Sequence, residues 1–421
     1  MTAEAAAGRA KRRRHVDADG ATTAGEPMIR PRDELRSIKP CEHGGGSRKL
    51  LSGGVLDFSA NLNPYGPPSF VLDTIREAAA DVRFYPDSDC SELRLQIAER
   101  LGCDPAQVLV AAGISQLIQL VALAFIRPQR RVLLVAHTYG EYEVAAKSMG
   151  AAVKKVGMPS LKIDAEALAS EIREDDVVFL CNPNNPTGQY LQKDEVALLL
   201  ETAARKGALL VLDEAYIDFV RGAFDTLRLA EELRARGRDA IEHLLLLRSF
   251  TKAFAVPGLR IGYAIGSERN ISALRLVMPP WSVGTLAQRV GYVLMSDAAS
   301  EFMKWSRKKI SEAKRELEKE FRSRLGVEIE TDANFYLLDV GVCGGGGESK
   351  SGSATLIKEK LLERGILVRD CTSFGLPSHI RFSVRKDEEN KVLVDALACV
   401  GNAAERHNKT FNLEGGKAFR T

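Results

Sequence analysis

Between residues 108 and 265 the chain alternates short β-rich apolar runs with longer helical patterns. This alternation constrains the fold more than any other feature. The runs are Val108–Val110, Arg131–Val135, Val177–Leu180, Leu209–Leu212, Leu244–Leu247 and Ile261–Ile265. Several are near-continuous stretches of Val, Leu and Ile, which suits strands buried on both faces. Ser115–Phe125 and Lys193–Lys206 lie between them with helical periodicity. Strands alternating with helices predict an α/β domain with a mostly parallel sheet, placed at residues 67–285.

The flanks differ. Residues 1–28 hold Lys11-Arg12-Arg13-Arg14 and then a polar stretch from Asp17 to Glu26, with no apolar core for a signal peptide. They read as a disordered tail, followed by an N-terminal arm over 29–66. There Leu56–Pro64 reads as a strand running into the turn at Gly66-Pro67-Pro68. After residue 285 come a charged helical stretch, Ala298–Phe321, and then Tyr336–Val340, Thr355–Arg364, Leu367–Arg369 and Ile380–Val384. These predict a smaller α+β domain over 286–405, with a flexible Gly/Ser-rich loop at 343–353 and a polar tail over 406–421.

A chain of 421 residues is long enough for two cores. Its 59 basic and 56 acidic residues nearly balance, which argues against nucleic acid as the main partner. No apolar run is long enough to span a bilayer, so no membrane partner is expected. The seven cysteines include no Cys-x-x-Cys, so neither a disulfide framework nor a metal site is expected. Free thiols in a reducing cytoplasm are the simplest reading.

Four segments carry chemistry. In Arg248-Ser249-Phe250-Thr251-Lys252, a lysine directly follows an apolar strand, with hydroxyls beside it and Arg260 eight residues on. A partly desolvated lysine at the end of a rigid element can act as a neutral nucleophile. Hydroxyls and a guanidinium nearby suit a phosphate. In Leu209–Tyr216, Asp213 ends an apolar strand, where ligands of open α/β sheets collect. Alone it reads equally as a helix cap. Asn182-Pro183-Asn184-Asn185-Pro186-Thr187-Gly188 is, alone, turn chemistry. Ala112-Gly113-Ile114-Ser115 opens a helix whose first amides can bind phosphate.

Together these segments resemble the fold-type I enzymes that use pyridoxal 5′-phosphate (PLP), the aspartate-aminotransferase superfamily. The resemblance covers about residues 40–400 and keeps the family's order of elements. It implies that Lys252 is the catalytic lysine that binds PLP covalently and then moves protons. Asp213 would pair with the pyridine nitrogen, and a nearby carboxylate favours its protonated form. Asn185 and Tyr216 would hydrogen-bond the ring oxygen, and Tyr139 would stack on the ring. Ser249, Thr251, Arg260, Gly113 and the amides of Ile114 and Ser115 would hold the phosphate. Tyr85 would reach the cofactor of a neighbouring subunit, so a homodimer with shared sites is implied.

Two subfamilies come close: threonine-phosphate decarboxylase of cobalamin synthesis and histidinol-phosphate aminotransferase. His43-Gly44-Gly45, Asp57–Pro64, Tyr85-Pro86-Asp87, Met278–Val283 and Leu367–Cys371 resemble the decarboxylase more. Ile114 and Tyr139 depart from its pattern. The resemblance implies a small phosphorylated amino acid as substrate, bound by His43, Gly44, Asn61, Arg369 and Arg381. The expected reaction is decarboxylation of L-threonine O-3-phosphate. The alternative is 2-oxoglutarate-dependent transamination of histidinol phosphate.

Overall fold

The computed structural model describes residues 30–237, 239–341 and 353–414. The expected tail at 1–28 and nearly all of the Gly/Ser-rich loop lie outside these residues. Of the expected tail at 406–421, residues up to 414 are helical, because the last helix runs Asp387–Glu414.

The large sheet has seven strands: β2 (Val108–Ala111), β3 (Arg131–Val135), β4 (Ala152–Val156), β5 (Val177–Cys181), β6 (Leu209–Asp213), β7 (Leu244–Ser249) and β8 (Gly262–Gly266). Their order is β2-β8-β7-β6-β5-β3-β4. All run parallel except β8, which is antiparallel to both β7 and β2. β5 and β6 are buried along their whole length, and helices cover the sheet as such strands require. Six strands lie where the apolar runs predict them. β4 carries no such signal, because Ala-Val-Lys-Lys-Val at the sheet's edge exposes both lysines. Charged edge positions discourage pairing with another chain.

Strand direction decides where the site forms. β5, β6 and β7 end on one edge of the sheet. Because β8 is reversed, its start joins them: Gly262 pairs with Ser249 on one side and with Ala111 on the other. Arg260, Ser249 and Gly113 are thereby gathered from three parts of the chain.

The smaller body holds an antiparallel sheet of β9 (Phe335–Asp339), β11 (Arg369–Asp370) and β12 (His379–Ser383), in the order β11-β12-β9. The expected long strand at 56–64 is only β1 (Leu56–Asp57), paired in parallel with β10 (Ile366–Leu367). It stops there because the Asp57 carboxylate accepts from the Ser59 N–H (2.8 Å) and O–H (2.6 Å), turning the chain. Residues 56–58 thus pack with the C-terminal body.

A 24-residue helix, Asp297–Glu320, joins the two bodies. Its Ala299 and Met303 enter the core of the large one, while Ile310, Ala313 and Leu317 enter that of the small one. In the small core Phe382 is fully buried and stacks on Phe321 (5.4 Å, 12°) and Tyr336 (5.7 Å, 28°). Phe382→Ala leaves a cavity that such packing cannot refill, and a destabilisation of about 3–5 kcal/mol is expected. Denaturant unfolding followed by fluorescence checks this; a change below about 1 kcal/mol contradicts it.

Candidate active site

The segment after β7 turns into a short helix, Phe250–Ala253, that presents Lys252. Its ammonium donates to the Ala60 carbonyl (2.9 Å), and the Asn63 N–H donates to the Lys252 carbonyl (3.0 Å). The N-terminal segment is therefore pinned across the lysine. Burial, with Arg381 and Arg260 adding repulsion, lowers the Lys252 pKa to about 8. Far more of the amine is then neutral near neutral pH than for an ordinary lysine.

A cavity of about 300 Å³ surrounds it. Its wall includes Ile114, Ser115, Tyr139, Asn185, Asp213, Tyr216, Ser249, Thr251 and Arg260, together with His43, Gly44, Arg369 and Arg381. Three expected residues stand apart from that wall. Gly113 lies behind it: its φ is +82°, and a Cβ there would sit 3.0 Å from an Arg260 Nη atom, so glycine makes room for the guanidinium. Asn61 is fully buried, and its amide donates to the Tyr216 hydroxyl (3.4 Å). Tyr85 is 80% exposed on the outer surface, packed against Trp281 with the rings tilted (4.7 Å, 33°).

Asp213 is 2% exposed. Burial pushes its carboxyl up to about 6, opposed by the Tyr142 hydroxyl and the Ala215 N–H, which donate to it at 2.7 and 3.0 Å. A cation opposite would pull the value back down. Beside it Glu214 is buried against Arg248 (2.5 Å) and accepts from the Thr226 hydroxyl (2.5 Å), tying β6 to β7.

On the far wall Arg369 and Arg381 are direct cross-strand partners, 4% and 5% exposed. Like charges opposite one another repel. Arg381 donates to the Asn185 side chain and to the Ser59 carbonyl (2.7 Å), while its Nε is buried with no partner among the described residues. Arg369 donates to Glu42 through the carboxylate (3.0 Å) and the carbonyl (2.8 Å), and to the Ser373 hydroxyl (2.6 Å). His43 pairs with Glu141 (3.0 Å).

Sequence reasoning missed Glu42 and Tyr142. Tyr142 had a faint signal, three residues beyond Tyr139 and hence on the same side of a helix start. Glu42 had none, because only folding brings the arm to Arg369.

The residues present suit PLP. Two hydroxyls, a guanidinium and helix-start amides without a backbone acceptor can receive a phosphate. A buried carboxylate awaits a cation, and a lysine with a lowered pKa stands between them.

The fold and this constellation define a fold-type I PLP enzyme. The chain belongs to the class I and II aminotransferase family, whose model matches residues 53–397. PLP is its cofactor. A protein of Caldanaerobacter subterraneus subsp. tengcongensis bearing the name "Putative threonine-phosphate decarboxylase" is 33% identical over 375 residues, covering 86% of this chain and 95% of that one. A histidinol-phosphate aminotransferase of Caldicellulosiruptor saccharolyticus is 29% identical over 371 residues, covering 87% and 98%. The crystal structure of L-threonine-O-3-phosphate decarboxylase from Porphyromonas gingivalis matches with TM-score 0.69 and 26% identity, covering 82% and 98%.

Two measurements probe this electrostatics. The rate at which apoenzyme gains the visible absorbance of lysine-bound PLP should rise with pH through about 8, where Lys252 loses its proton. Arg381→Gln, which removes a neighbouring cation, should move that midpoint upward; an unmoved midpoint contradicts the coupling. Tyr142→Phe removes a hydrogen bond to the Asp213 carboxylate. A loss of about 1.5–3 kcal/mol, roughly ten- to a hundredfold in the Kd for PLP, is expected by equilibrium titration.

Proposed function

We propose that this enzyme decarboxylates L-threonine O-3-phosphate, releasing CO2 and (R)-1-aminopropan-2-ol O-phosphate, as a step of cobalamin biosynthesis. The observation that carries this reading is the buried cross-strand pair Arg369 and Arg381, with His43 on the arm beside it. Among the described residues Arg381 is buried with no anion against it, and Arg369 has only the carboxylate of Glu42 on the arm, which a substrate anion can replace. A substrate with both a carboxylate and a phosphate supplies two. The cavity of about 300 Å³ has to hold the cofactor as well, which leaves room for a small substrate.

PLP, when bound, supplies an electron sink for the pair left on Cα when a bond there breaks. The chain's residues decide which bond that is. Anchoring the phosphate at Arg369 and His43 and the carboxylate at Arg381 fixes rotation about the Cα bonds. Lys252, in its ammonium form, can donate the proton that takes the place of the departing CO2 at Cα. Ser249, Thr251, Arg260 and the amides after Gly113 would hold the cofactor phosphate, and Asp213 would favour a protonated ring nitrogen. Asn185, Tyr216 and Tyr139 would hold the ring, and Asn61 and Gly44 would shape the substrate end. The arm over the cavity excludes water.

We further propose a cytoplasmic homodimer in which Tyr85 reaches the partner's cofactor phosphate. Val82, Phe84, Tyr85, Trp281 and Tyr292 are 45–80% exposed, an apolar surface that association would cover. The boundaries 67–285 and 286–405 remain our division of the chain, with the Asp297–Glu320 helix shared between the two cores.

A second reading, transamination of histidinol phosphate with 2-oxoglutarate, is favoured by Tyr139 and by the aminotransferase relative. Two arginines would also suit a dicarboxylate, so chemistry must separate the readings. The PLP-loaded enzyme should release CO2 from L-threonine O-3-phosphate without any 2-oxo acid. Turnover seen only with histidinol phosphate and 2-oxoglutarate overturns the decarboxylase reading. Arg369→Gln should raise the KM for the phosphorylated substrate by roughly ten- to a hundredfold, as loss of a charged hydrogen bond does.

A further inference from the structure

The long helix Asp297–Glu320 carries cations at Lys304, Arg307, Lys308, Lys314 and Arg315, spaced by three and four residues. That spacing puts them on one side of the helix. They do not face open solvent alone. All five line a cavity of about 550 Å³, larger than the one around Lys252 and sharing no residue with it. Arg221, eight residues beyond the end of β6, completes a ring of six cations.

The acids of this cavity are already engaged. Glu312 pairs with Lys309 (3.0 Å), and the Asp332 carboxylate accepts from the Tyr190 N–H (2.9 Å). Among the described residues Arg221, Lys304, Arg307, Lys308 and Arg315 have no side-chain hydrogen bond or ion pair, although Glu312 attracts Lys308 and Arg315, and the buried Asp218 attracts Arg307, at longer range. Arg307 Nε is buried without an acceptor. Lys314 is held in place by donating to the Thr331 (2.6 Å) and Ala333 (3.0 Å) carbonyls. The Arg307 Nε can therefore donate to a bound ligand, as the other cations of the cavity can. A concave wall of one sign also focuses its field and concentrates counter-ions.

We propose that this cavity is a second anion site, separate from the catalytic one, for a small ligand bearing two linked phosphates. A single phosphate could meet only part of a set of cations that spans about three turns of helix. A diphosphate carries more acceptor oxygens and can meet several of them at once. Because Arg221 belongs to the large body, the helix enters both cores and Asp332 lies just ahead of β9, an occupied site would tie the two bodies together.

The probe is pyrophosphate, titrated calorimetrically into the full-length, PLP-loaded enzyme at about 0.15 M ionic strength, where exposed charges alone are screened. One equivalent per chain is expected to bind, and Arg369→Gln should leave that binding unchanged. The triple variant Lys304→Gln, Lys308→Gln, Arg315→Gln alters exposed side chains only, so the fold and the visible absorbance of bound PLP should persist. Its Kd for pyrophosphate should rise at least tenfold. The proposal falls if the wild-type enzyme binds none, if the triple variant binds as tightly as the wild type, or if Arg369→Gln abolishes binding, which would place the ligand at the catalytic site. Because none of these readouts is catalytic, failure here leaves the proposed reaction untouched.

Discussion

The reversal of a single strand organises the catalytic edge. Parallel strands can deliver only their carboxyl ends to one side of a sheet. With β8 antiparallel between β7 and β2, a segment entering a strand meets segments leaving two others. Arg260 thereby reaches the hydroxyls of Ser249 and Thr251 and the helix start at Gly113. The crowding this creates is met by glycine. A Cβ on Gly262 would lie 2.7 Å from the Arg248 carbonyl and 3.4 Å from the Gly113 Cα.

Around that edge the protein buries charge and then compensates it locally. Asp213 relies on Tyr142 and a backbone N–H, and Glu214 on Arg248 and Thr226. Lys252 has only a carbonyl acceptor and two cations nearby, so its proton is held loosely. The same desolvation raises one pKa and lowers the other, because it disfavours whichever form is charged. A carboxylate seeking a cation and an amine seeking to be neutral are what a cofactor with a cationic ring nitrogen and an aldehyde requires.

The second body contributes through its own strand pairing. The β11–β12 register sets Arg369 beside Arg381, and β1–β10 pairing draws the N-terminal segment across Lys252. Glu42 then occupies Arg369 from the arm. An anionic substrate that uses Arg369 must displace that carboxylate, so substrate entry and the position of the arm are linked. The Asp297–Glu320 helix, rooted in both cores, is the covalent route by which the two bodies stay in register.

Much of this was legible in the sequence. The buried strands were, because double burial forces continuous apolar runs, and so were the segments ending in Asp213, Asn185 and Lys252, because they directly follow such strands. Those local patterns determined the fold class, and the family resemblance they carry implied the cofactor and most of the cavity's residues. The tertiary structure alone decided the rest. β4 has no apolar run because it lies at an edge. The strand at 56–64 shrank to two residues because an aspartate side chain turned the chain. Glu42, Tyr142 and the cation-lined cavity of the long helix came from contacts between residues remote in sequence or from opposite walls. Asn61 and Gly113 moved behind the wall rather than into it. Local sequence sets which elements form and where they end, through burial and hydrogen bonding along the chain. Which side chains then meet depends on strand register and direction, which are properties of the whole sheet.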